Sequence, residues 1–280
     1  MRYTEVRSRV GPVRVRTAGN GPVVLAVHGL LVDGRLWDGV TALLAPHARV
    51  VVPDLPLGAH RRPVPDRAKL TPAEVAEAVV DVMDGLDLDD AVLVGNDTGG
   101  ALAQIAAAAH PDRVRGLVLA GCDAFEHFPP PLLRPLPALS RLPGGTALLL
   151  RLFAVPPLLA DPGPLNLFTA RGFGRQWVHE LLQPARIDRE IRADLTAFLR
   201  TVRPEVLLDA AAGVSAFAGR AAVVWGRRDV VFPPGDAERL AALLDTTVTW
   251  LADARKFVPV DRPDAVATAV RSLLPAPTSV

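Results

Sequence analysis

Gly95-Asn96-Asp97-Thr98-Gly99 is the stretch of sequence that decides the fold. The apolar run Ala91–Gly95 before its centre is typical of a buried strand, and Thr98–His110 after it carries apolar residues at helical spacing. Small residues two positions before and two positions after the central aspartate permit a very tight turn between strand and helix. We therefore expect Asp97 at the apex of this turn, above the sheet and at the start of a helix.

Apolar runs alternate with helical patterns through the first 122 residues and again after residue 213. The predicted strands are Arg2–Val10, Pro12–Thr17, Val23–Val27, Val50–Pro53, Ala91–Gly95, Val114–Ala120, Ala221–Trp225 and Thr247–Leu251. The predicted helices are Leu36–Leu44, Thr71–Leu86 with a capping box, Thr98–His110, Pro234–Leu244 and Pro263–Leu274. This alternation predicts an α/β fold with a mostly parallel, eight-stranded sheet covered by helices on both faces.

Residues 123–213 interrupt the alternation, because they are rich in proline and leucine and contain helical stretches but no strand pattern. We interpret them as a helical cap inserted into a single α/β domain. The predicted organisation is therefore a first core part at residues 1–122, a cap at 123–213 and a second core part at 214–280.

The composition argues against several classes of partner. The 31 basic and 30 acidic residues give a net charge of +1, so no strong field favours nucleic acid or an anionic membrane. The N-terminus has no apolar signal segment, and the single cysteine, Cys122, fits a reducing compartment, so we expect a cytoplasmic protein. The basic residues are nearly all arginine, and alanine, glycine, proline and valine are abundant, which is typical of a high-GC genome and favours a bacterial source. Metal-ligand spacings, phosphate loops and dinucleotide fingerprints are missing from the sequence, so we predict no metal and no cofactor. We expect a small molecule as the substrate. The sequence does not indicate the oligomeric state.

Further motifs accompany the turn along nearly the whole chain. They are His28-Gly29, Trp37, Val52-Pro53-Asp54, Trp225-Gly226-Arg227-Arg228-Asp229 and the segment Phe257 to Pro263. With these motifs the chain resembles the α/β-hydrolase superfamily, and the aspartate at the apex resembles the haloalkane dehalogenase and epoxide hydrolase branch.

The resemblance implies a nucleophilic role for Asp97. In that branch the carboxylate attacks carbon and forms an alkyl ester, which water then cleaves. The resemblance also implies that the backbone N–H groups of Leu30 and Thr98 form an anion-stabilising hole. The alternative interpretation is that Asp97 only caps the following helix, as aspartate often does.

The sequence departs from this pattern at the catalytic histidine, which the superfamily places after the last strand. The six histidines are His28, His47, His60, His110, His127 and His179, and Lys256 stands at the expected position. A positioned general base contributes about two to four powers of ten in rate, and a protonated lysine cannot accept a proton. We expect an ion pair between Asp97 and Lys256, with an exposed loop lysine as the alternative.

The acid of the triad has two candidates, Asp229 after the Trp225-Gly226 strand and Asp123 after the strand before the cap. We rank Asp229 first. Two groups typical of the branch are missing. Epoxide hydrolases of this type protonate the epoxide oxygen with tyrosines of the cap, whereas the single tyrosine here is Tyr3, far from the cap. Haloalkane dehalogenases commonly hold the halide with a tryptophan directly after the nucleophile, where this sequence has Thr98. Possible substrate-binding residues, which include imidazoles that could replace the missing histidine, are His28, Asn96, Asp123, His127, Trp177 and His179.

Three functions remain open from the sequence. The first is a hydrolase-like enzyme with Asp97 as central carboxylate, acting on a small or medium apolar substrate beneath the cap. The second is a non-hydrolytic lyase, isomerase or cyclase of secondary metabolism, in which Asp97 acts as acid or base. The third is a non-catalytic protein that binds a ligand in the same pocket.

Overall fold

The computed structural model describes residues 1–154 and 164–275. One sheet is formed by β1 (Arg2–Ser8), β2 (Gly11–Ala18), β3 (Val23–Val27), β4 (Arg49–Asp54), β5 (Ala91–Asp97), β6 (Val114–Cys122), β7 (Arg220–Gly226) and β8 (Val248–Leu251). Its spatial order is β1-β2-β4-β3-β5-β6-β7-β8. The pairs β1–β2 and β2–β4 are antiparallel and the remaining pairs are parallel. The predicted eight-stranded, mostly parallel sheet is thus confirmed.

The described residues contain eleven α-helices. They are α1 (Asp38–Leu44), α2 (Pro72–Asp84), α3 (Thr98–Ala109), α4 (Pro135–Arg141), α5 (Gly145–Ala154), α6 (Arg175–Ile187), α7 (Arg189–Thr201), α8 (Pro204–Val214), α9 (Pro234–Leu243), α10 (Val258–Asp261) and α11 (Pro263–Leu273). Each predicted strand and helix is present, with ends that differ by at most about two residues, as helix ends commonly do. The capping box is also present in part, since Thr71 Oγ1 accepts a hydrogen bond of 3.2 Å from the N–H of Glu74.

Strand β5 lies in the middle of the sheet and is fully buried. All seven of its residues are buried, because parallel strands in such a sheet are covered by helices on both faces. Its neighbours β3 and β6 are likewise apolar, so the carboxyl ends of three buried strands meet at one edge of the sheet. That edge is where a ligand binds in open α/β sheets.

The segment between β6 and β7 contains α4 to α8 and, within its described residues, no strand. Helix α8 packs closely on α3, where a Cβ on Gly213 would lie only 2.7 Å from Ala108 Cβ. Helices α4 to α7 pack against one another, as expected for a helical insertion. The boundaries of the cap stay a prediction, and residues 155–163 and 276–280 lie outside the described part of the chain. None of the described helices is long and apolar enough to cross a membrane.

Asp194 on α7 fastens the insertion to the core segment that follows β4. Its Oδ2 accepts a hydrogen bond of 2.9 Å from the N–H of Val64 and lies 3.2 Å from His60 Nε2, while Oδ1 accepts one of 2.7 Å from Arg67 Nε. Burial raises the pKa of this carboxyl, but the hydrogen bonds outweigh burial, so that the pKa lies below its usual value. A buried carboxylate with three donors from the core fixes the position of α7 above the sheet.

The variant Asp194→Asn tests this attachment. It removes the charge that His60, Val64 and Arg67 bind, so we expect the free energy of unfolding to fall by about 1.5–3 kcal/mol. Glu190→Gln is the matched control, because Glu190 pairs with the same Arg67 at the exposed surface, where ion pairs contribute about 0–1 kcal/mol. Urea denaturation measures both, and equal losses for the two variants would contradict the attachment.

Candidate active site

Asp97 ends β5 in a strained backbone conformation. Its φ of 59° and ψ of −137° lie where residues other than glycine are uncommon, and such strain persists only where the surrounding structure holds it in place. Its side chain makes no capping hydrogen bond to α3. The interpretation of Asp97 as a simple helix cap is therefore wrong.

Two glycines make room for this conformation. A Cβ on Gly99 would lie 2.1 Å from the carbonyl oxygen of Val27, so only glycine lets the start of α3 approach β3 so closely. A Cβ on Gly29 would lie 2.4 Å from Asp97 Cβ and 2.5 Å from its Oδ2. The His28-Gly29 motif is thereby explained by space, because Gly29 leaves room for the Asp97 carboxyl group.

Lys256 contacts Asp97 directly. Its Nζ lies 2.9 Å from Asp97 Oδ2, and the two side chains are only 5% and 3% exposed. The contact has the distance of an ion pair, whereas its angles do not meet those of a hydrogen bond. The expected ion pair is thus present, and the alternative of an exposed loop lysine is wrong. Opposite charges at this separation in a buried site interact far more strongly than they would in water.

Three aromatic rings surround the ammonium group of Lys256. Nζ lies 4.7 Å from the ring centroid of Phe257, 5.2 Å from that of Phe168 and 5.7 Å from that of Phe232. Such contacts favour a cation electrostatically and exclude water from it. The N–H of Phe257 also donates a hydrogen bond of 3.0 Å to the carbonyl oxygen of Phe168, which joins the Lys256 loop to the segment before α6.

Asn96 positions the two charged residues relative to each other. Its buried Nδ2 donates hydrogen bonds to the carbonyl oxygens of Gly121 (2.9 Å) and Lys256 (2.8 Å). The end of β5, the end of β6 and the loop after β8 are therefore linked by one side chain. Asn96 lies beneath the cavity described below rather than in its wall, so the structure gives it a positioning role in place of the expected contact with substrate.

Asp229 lies near Lys256, on the loop after β7. Its Oδ1 accepts hydrogen bonds from the N–H groups of Val231 (2.7 Å) and Phe232 (3.1 Å), while Oδ2 is buried without a hydrogen-bond partner. Burial raises the pKa of Asp229 to about 6, and the charge of Lys256 offsets part of that rise. The carboxyl group is therefore poised to titrate close to neutral pH.

Asp123 is the second acid beside Asp97. Its Oδ2 accepts a hydrogen bond of 3.2 Å from Thr98 Oγ1, and its Oδ1 is buried without a partner. Burial raises the pKa of Asp123 well above its usual value, and the nearby Asp97 charge raises it further. Asp97 is paired with a cation, whereas burial and the nearby negative charge favour the neutral form of Asp123.

A cavity of about 40 Å³ lies above Asp97. Its polar wall consists of Asp97, Thr98, Asp123 and Lys256. The other described residues around it are apolar: Leu30, Leu31, Phe128, Pro129, Pro130, Leu133, Leu136, Pro137, Phe153, Phe168, Phe198, Leu199 and Val202. The space fits about three water molecules, since one water needs roughly 10–15 Å³. Leu30 and Thr98, predicted to form the anion hole, both border this cavity, and so does Asp123, whereas Asp229 does not.

His28 is occupied in the structure. Its Nε2 accepts a hydrogen bond of 2.9 Å from the N–H of Leu55, and Nδ1 lies 2.9 Å from the carbonyl oxygen of Gly29, to which it donates. Burial lowers the pKa of His28, which fits a neutral ring with one donor and one acceptor nitrogen. Both ring nitrogens therefore bind backbone groups, one in the loop after β3 and one directly after β4, and neither is available to a substrate.

The structure does not bring the remaining candidates to Asp97. His127 places Nδ1 2.8 Å from Asp236 Oδ2, and Trp177 packs edge-on against Phe173 with ring centroids 4.6 Å apart. His179 borders a different cleft, of about 330 Å³, on the surface of the insertion. The cation beside Asp97 is Lys256, and these imidazoles lie elsewhere. Among the described residues, no three His, Cys, Asp or Glu side chains come together as metal ligands.

A family model described as alpha/beta hydrolase fold matches residues 22–263. The chain belongs to the α/β-hydrolase family. An uncharacterised protein of Mycobacterium tuberculosis is 31% identical over 231 residues, which cover 78% of this chain and 64% of that protein. The chain thus spans less than two thirds of the length of this relative.

Other members of the α/β-hydrolase family match nearly end to end. Haloalkane dehalogenase 2 of Mycobacterium tuberculosis is 29% identical over 272 residues, 93% of this chain and 90% of that protein. The crystal structure of a haloalkane dehalogenase from Bradyrhizobium elkani has a TM-score of 0.80 at 22% identity, covering 97% of this chain and 98% of that one, and shares its fold. The predicted resemblance to the dehalogenase branch is confirmed.

A double-mutant cycle tests the buried ion pair. Asp97→Asn or Lys256→Met alone leaves one buried charge without its partner, so each should lower the free energy of unfolding by about 3–5 kcal/mol. The double variant should lose clearly less than the sum, because no lone charge is left behind. Asp264→Asn, in an exposed pair with Arg262, is the control and should cost at most about 1 kcal/mol. Additive losses at Asp97 and Lys256 would show that they do not interact.

Proposed function

We propose that the protein is an enzyme in which Asp97 attacks a saturated carbon of a small apolar substrate and displaces its leaving group. The attack forms an alkyl ester on Asp97, and water then hydrolyses the ester to release an alcohol. The observation that carries the proposal is the position of the Asp97 carboxylate, paired with Lys256 in a largely apolar cavity beneath the insertion.

Two features favour Asp97 as an anion ready to attack. The carboxylate lies at the N-terminus of α3, where the helix dipole stabilises negative charge, and Lys256 supplies a fixed positive charge 2.9 Å away. The apolar walls remove water from the reacting carbon and from the nucleophile, which strengthens their electrostatic interaction. A carboxylate that is held in place gains further from orientation, because the attack becomes effectively unimolecular.

The cavity favours a small substrate. With about 40 Å³ between the described residues, it suits a short-chain haloalkane or epoxide rather than a drug-sized ligand, whose pockets measure roughly 300–1,000 Å³. The similarity to haloalkane dehalogenase 2 over 90% of that protein supports displacement at carbon over the lyase, isomerase and binding alternatives. The raised pKa of Asp123 supports it as proton donor when the leaving group is an oxygen.

The anion hole completes the proposed site. When water attacks the ester, negative charge develops on the carbonyl oxygen of Asp97, and the backbone N–H groups of Leu30 and Thr98 are proposed to stabilise it. Both residues border the cavity beside Asp97. Loss of one such donor typically costs about two to three powers of ten in rate.

Covalent trapping tests the nucleophile. After brief incubation with bromoethane or ethylene oxide and an acid quench, intact-protein mass spectrometry should show the mass of one ethyl or one hydroxyethyl group added, located on the peptide that contains Asp97. Asp97→Asn should show no such addition, because an amide is a poor nucleophile. Asp229→Asn is the control for a loss of nearby charge and should still be alkylated.

Two results would refute Asp97 as nucleophile. One is the absence of any adduct in the wild type across short haloalkanes and epoxides, at quench times from milliseconds to hours. The other is equal alkylation of the wild type and Asp97→Asn, which would show that another side chain reacts.

A further inference from the structure

A cleft of about 330 Å³ lies on the insertion and shares no lining residue with the cavity above Asp97. Its residues recur at helical spacing, so that one face of α5 and one face of α6 line it. They are Ala147, Leu150 and Arg151 on α5, His179, Gln183, Arg186 and Ile187 on α6, and Arg192 on α7. The volume lies within the range of roughly 300–1,000 Å³ that small-molecule sites have.

Every formal charge in the lining of this cleft is positive. The charges are the guanidinium groups of Arg151, Arg186 and Arg192, which remain protonated throughout the physiological pH range. Arg151 and Arg186 are exposed, and within the described residues their side chains form no ion pair or hydrogen bond. A cleft lined by one sign of charge concentrates its field and attracts ligands of the opposite charge.

The acidic residues closest along the chain are engaged elsewhere. Glu180 on α6 pairs with Arg35, and Glu190 on α7 pairs with Arg67. Asp188, which joins the two helices, accepts a hydrogen bond of 2.8 Å from the N–H of Glu190 and caps α7. Among the carboxylates of the described chain, none forms an ion pair with an arginine of the cleft.

Arg192 offsets the one negative feature at the edge of the cleft. Its Nη1 donates hydrogen bonds of 3.0 Å each to the carbonyl oxygens of Ala185 and Arg186. Those carbonyls belong to the last turn of α6, where the helix dipole is negative and repels anions. With this end neutralised by Arg192, the guanidinium groups of Arg151 and Arg186 remain for a ligand.

We propose that this cleft binds a phosphate monoester carried on a short aliphatic chain. Such a phosphate is mainly dianionic at pH 7.5, which matches two unpaired guanidinium groups whose planar forks bind its oxygens in pairs. The aliphatic chain would lie against Leu150 and Ile187, and because Ile187 is 72% exposed, a bound chain would remove apolar surface from water there. The inference does not depend on the reaction proposed for Asp97.

Binding of n-hexyl phosphate by the wild type, measured by isothermal titration calorimetry at pH 7.5, tests the ligand class. We expect one site, with an affinity at least about tenfold higher than for inorganic phosphate, which has no chain to bury. Hexanoate has the chain but a single negative charge, and it should also bind at least about tenfold more weakly. Equal affinities for all three compounds would contradict the proposal.

The double variant Arg151→Gln/Arg186→Gln locates the site. Both side chains are exposed, so the fold should persist while the affinity for n-hexyl phosphate falls by about 10–100-fold, because charge-assisted hydrogen bonds are lost. Arg134→Gln/Arg141→Gln is the matched control, since it removes two exposed arginines of the insertion that do not line the cleft. Equal weakening in the two double variants would overturn the proposal, because it would show attraction to the overall charge only.

Protection from phenylglyoxal, a reagent that modifies accessible arginines, is a second readout that needs no variant. Saturating n-hexyl phosphate should slow the modification of Arg151 and Arg186, followed by peptide mass spectrometry, and leave Arg134 and Arg141 unaffected. Modification of Arg151 and Arg186 at an unchanged rate would refute the site even if the variants failed to fold.

Vesicles distinguish a soluble ligand from a lipid headgroup with the same chemistry. The protein is sedimented with vesicles of phosphatidylcholine, with and without phosphatidic acid, whose headgroup is a phosphate monoester. Because the cleft has the size of a small-molecule site, we expect n-hexyl phosphate to bind and both kinds of vesicle to leave the protein in solution. Sedimentation that requires phosphatidic acid, and that Arg151→Gln/Arg186→Gln abolishes, would assign the same cleft to a lipid headgroup. Binding of neither n-hexyl phosphate nor phosphatidic acid would overturn the proposal.

Discussion

The contact between the Asp97 carboxylate and the Lys256 ammonium is the interaction on which the arrangement of this site depends. The turn between β5 and α3 presents the carboxylate, and the loop after β8 brings the ammonium to it. Asn96 holds both segments, because one amide nitrogen binds the carbonyl oxygens of Gly121 and Lys256. The ends of distant strands are thus tied together around a single pair of charges.

Such a pair is an expensive way to stabilise a fold. Removing two ions from water costs several kcal/mol each, and well-packed apolar residues often stabilise a protein at least as well as a buried ion pair. The positive φ of Asp97 adds about 1–3 kcal/mol of backbone strain. Costs of this kind cluster at functional sites, where they keep reacting groups in place. The strain at Asp97 and the burial of Lys256 therefore favour chemistry over a purely structural role for the pair.

The sequence predicted the core more completely than the site. Val23–Val27 was found with the expected bounds, because a continuous apolar run between turn signals has few alternatives once strands and helices alternate. The pairing of Asp97 with Lys256 was also predictable, since both follow strands at one sheet edge. The aromatic rings around Lys256 were not, because Phe168 and Phe232 come from separate loops whose approach depends on tertiary packing. For the same reason the sequence could not show that His127 faces Asp236, or that His179 faces a separate cleft.

A single turnover in water enriched in ¹⁸O tests the central claim most directly, with enzyme in excess over a short haloalkane. If Asp97 is the nucleophile and water cleaves its ester, the label enters the Asp97 carboxyl group and the alcohol carries an oxygen that came from the protein. Peptide mass spectrometry would then show one heavy oxygen on the peptide containing Asp97 and none in the product. A labelled alcohol with an unlabelled Asp97 would contradict the account, because it would mean that water attacks the substrate directly.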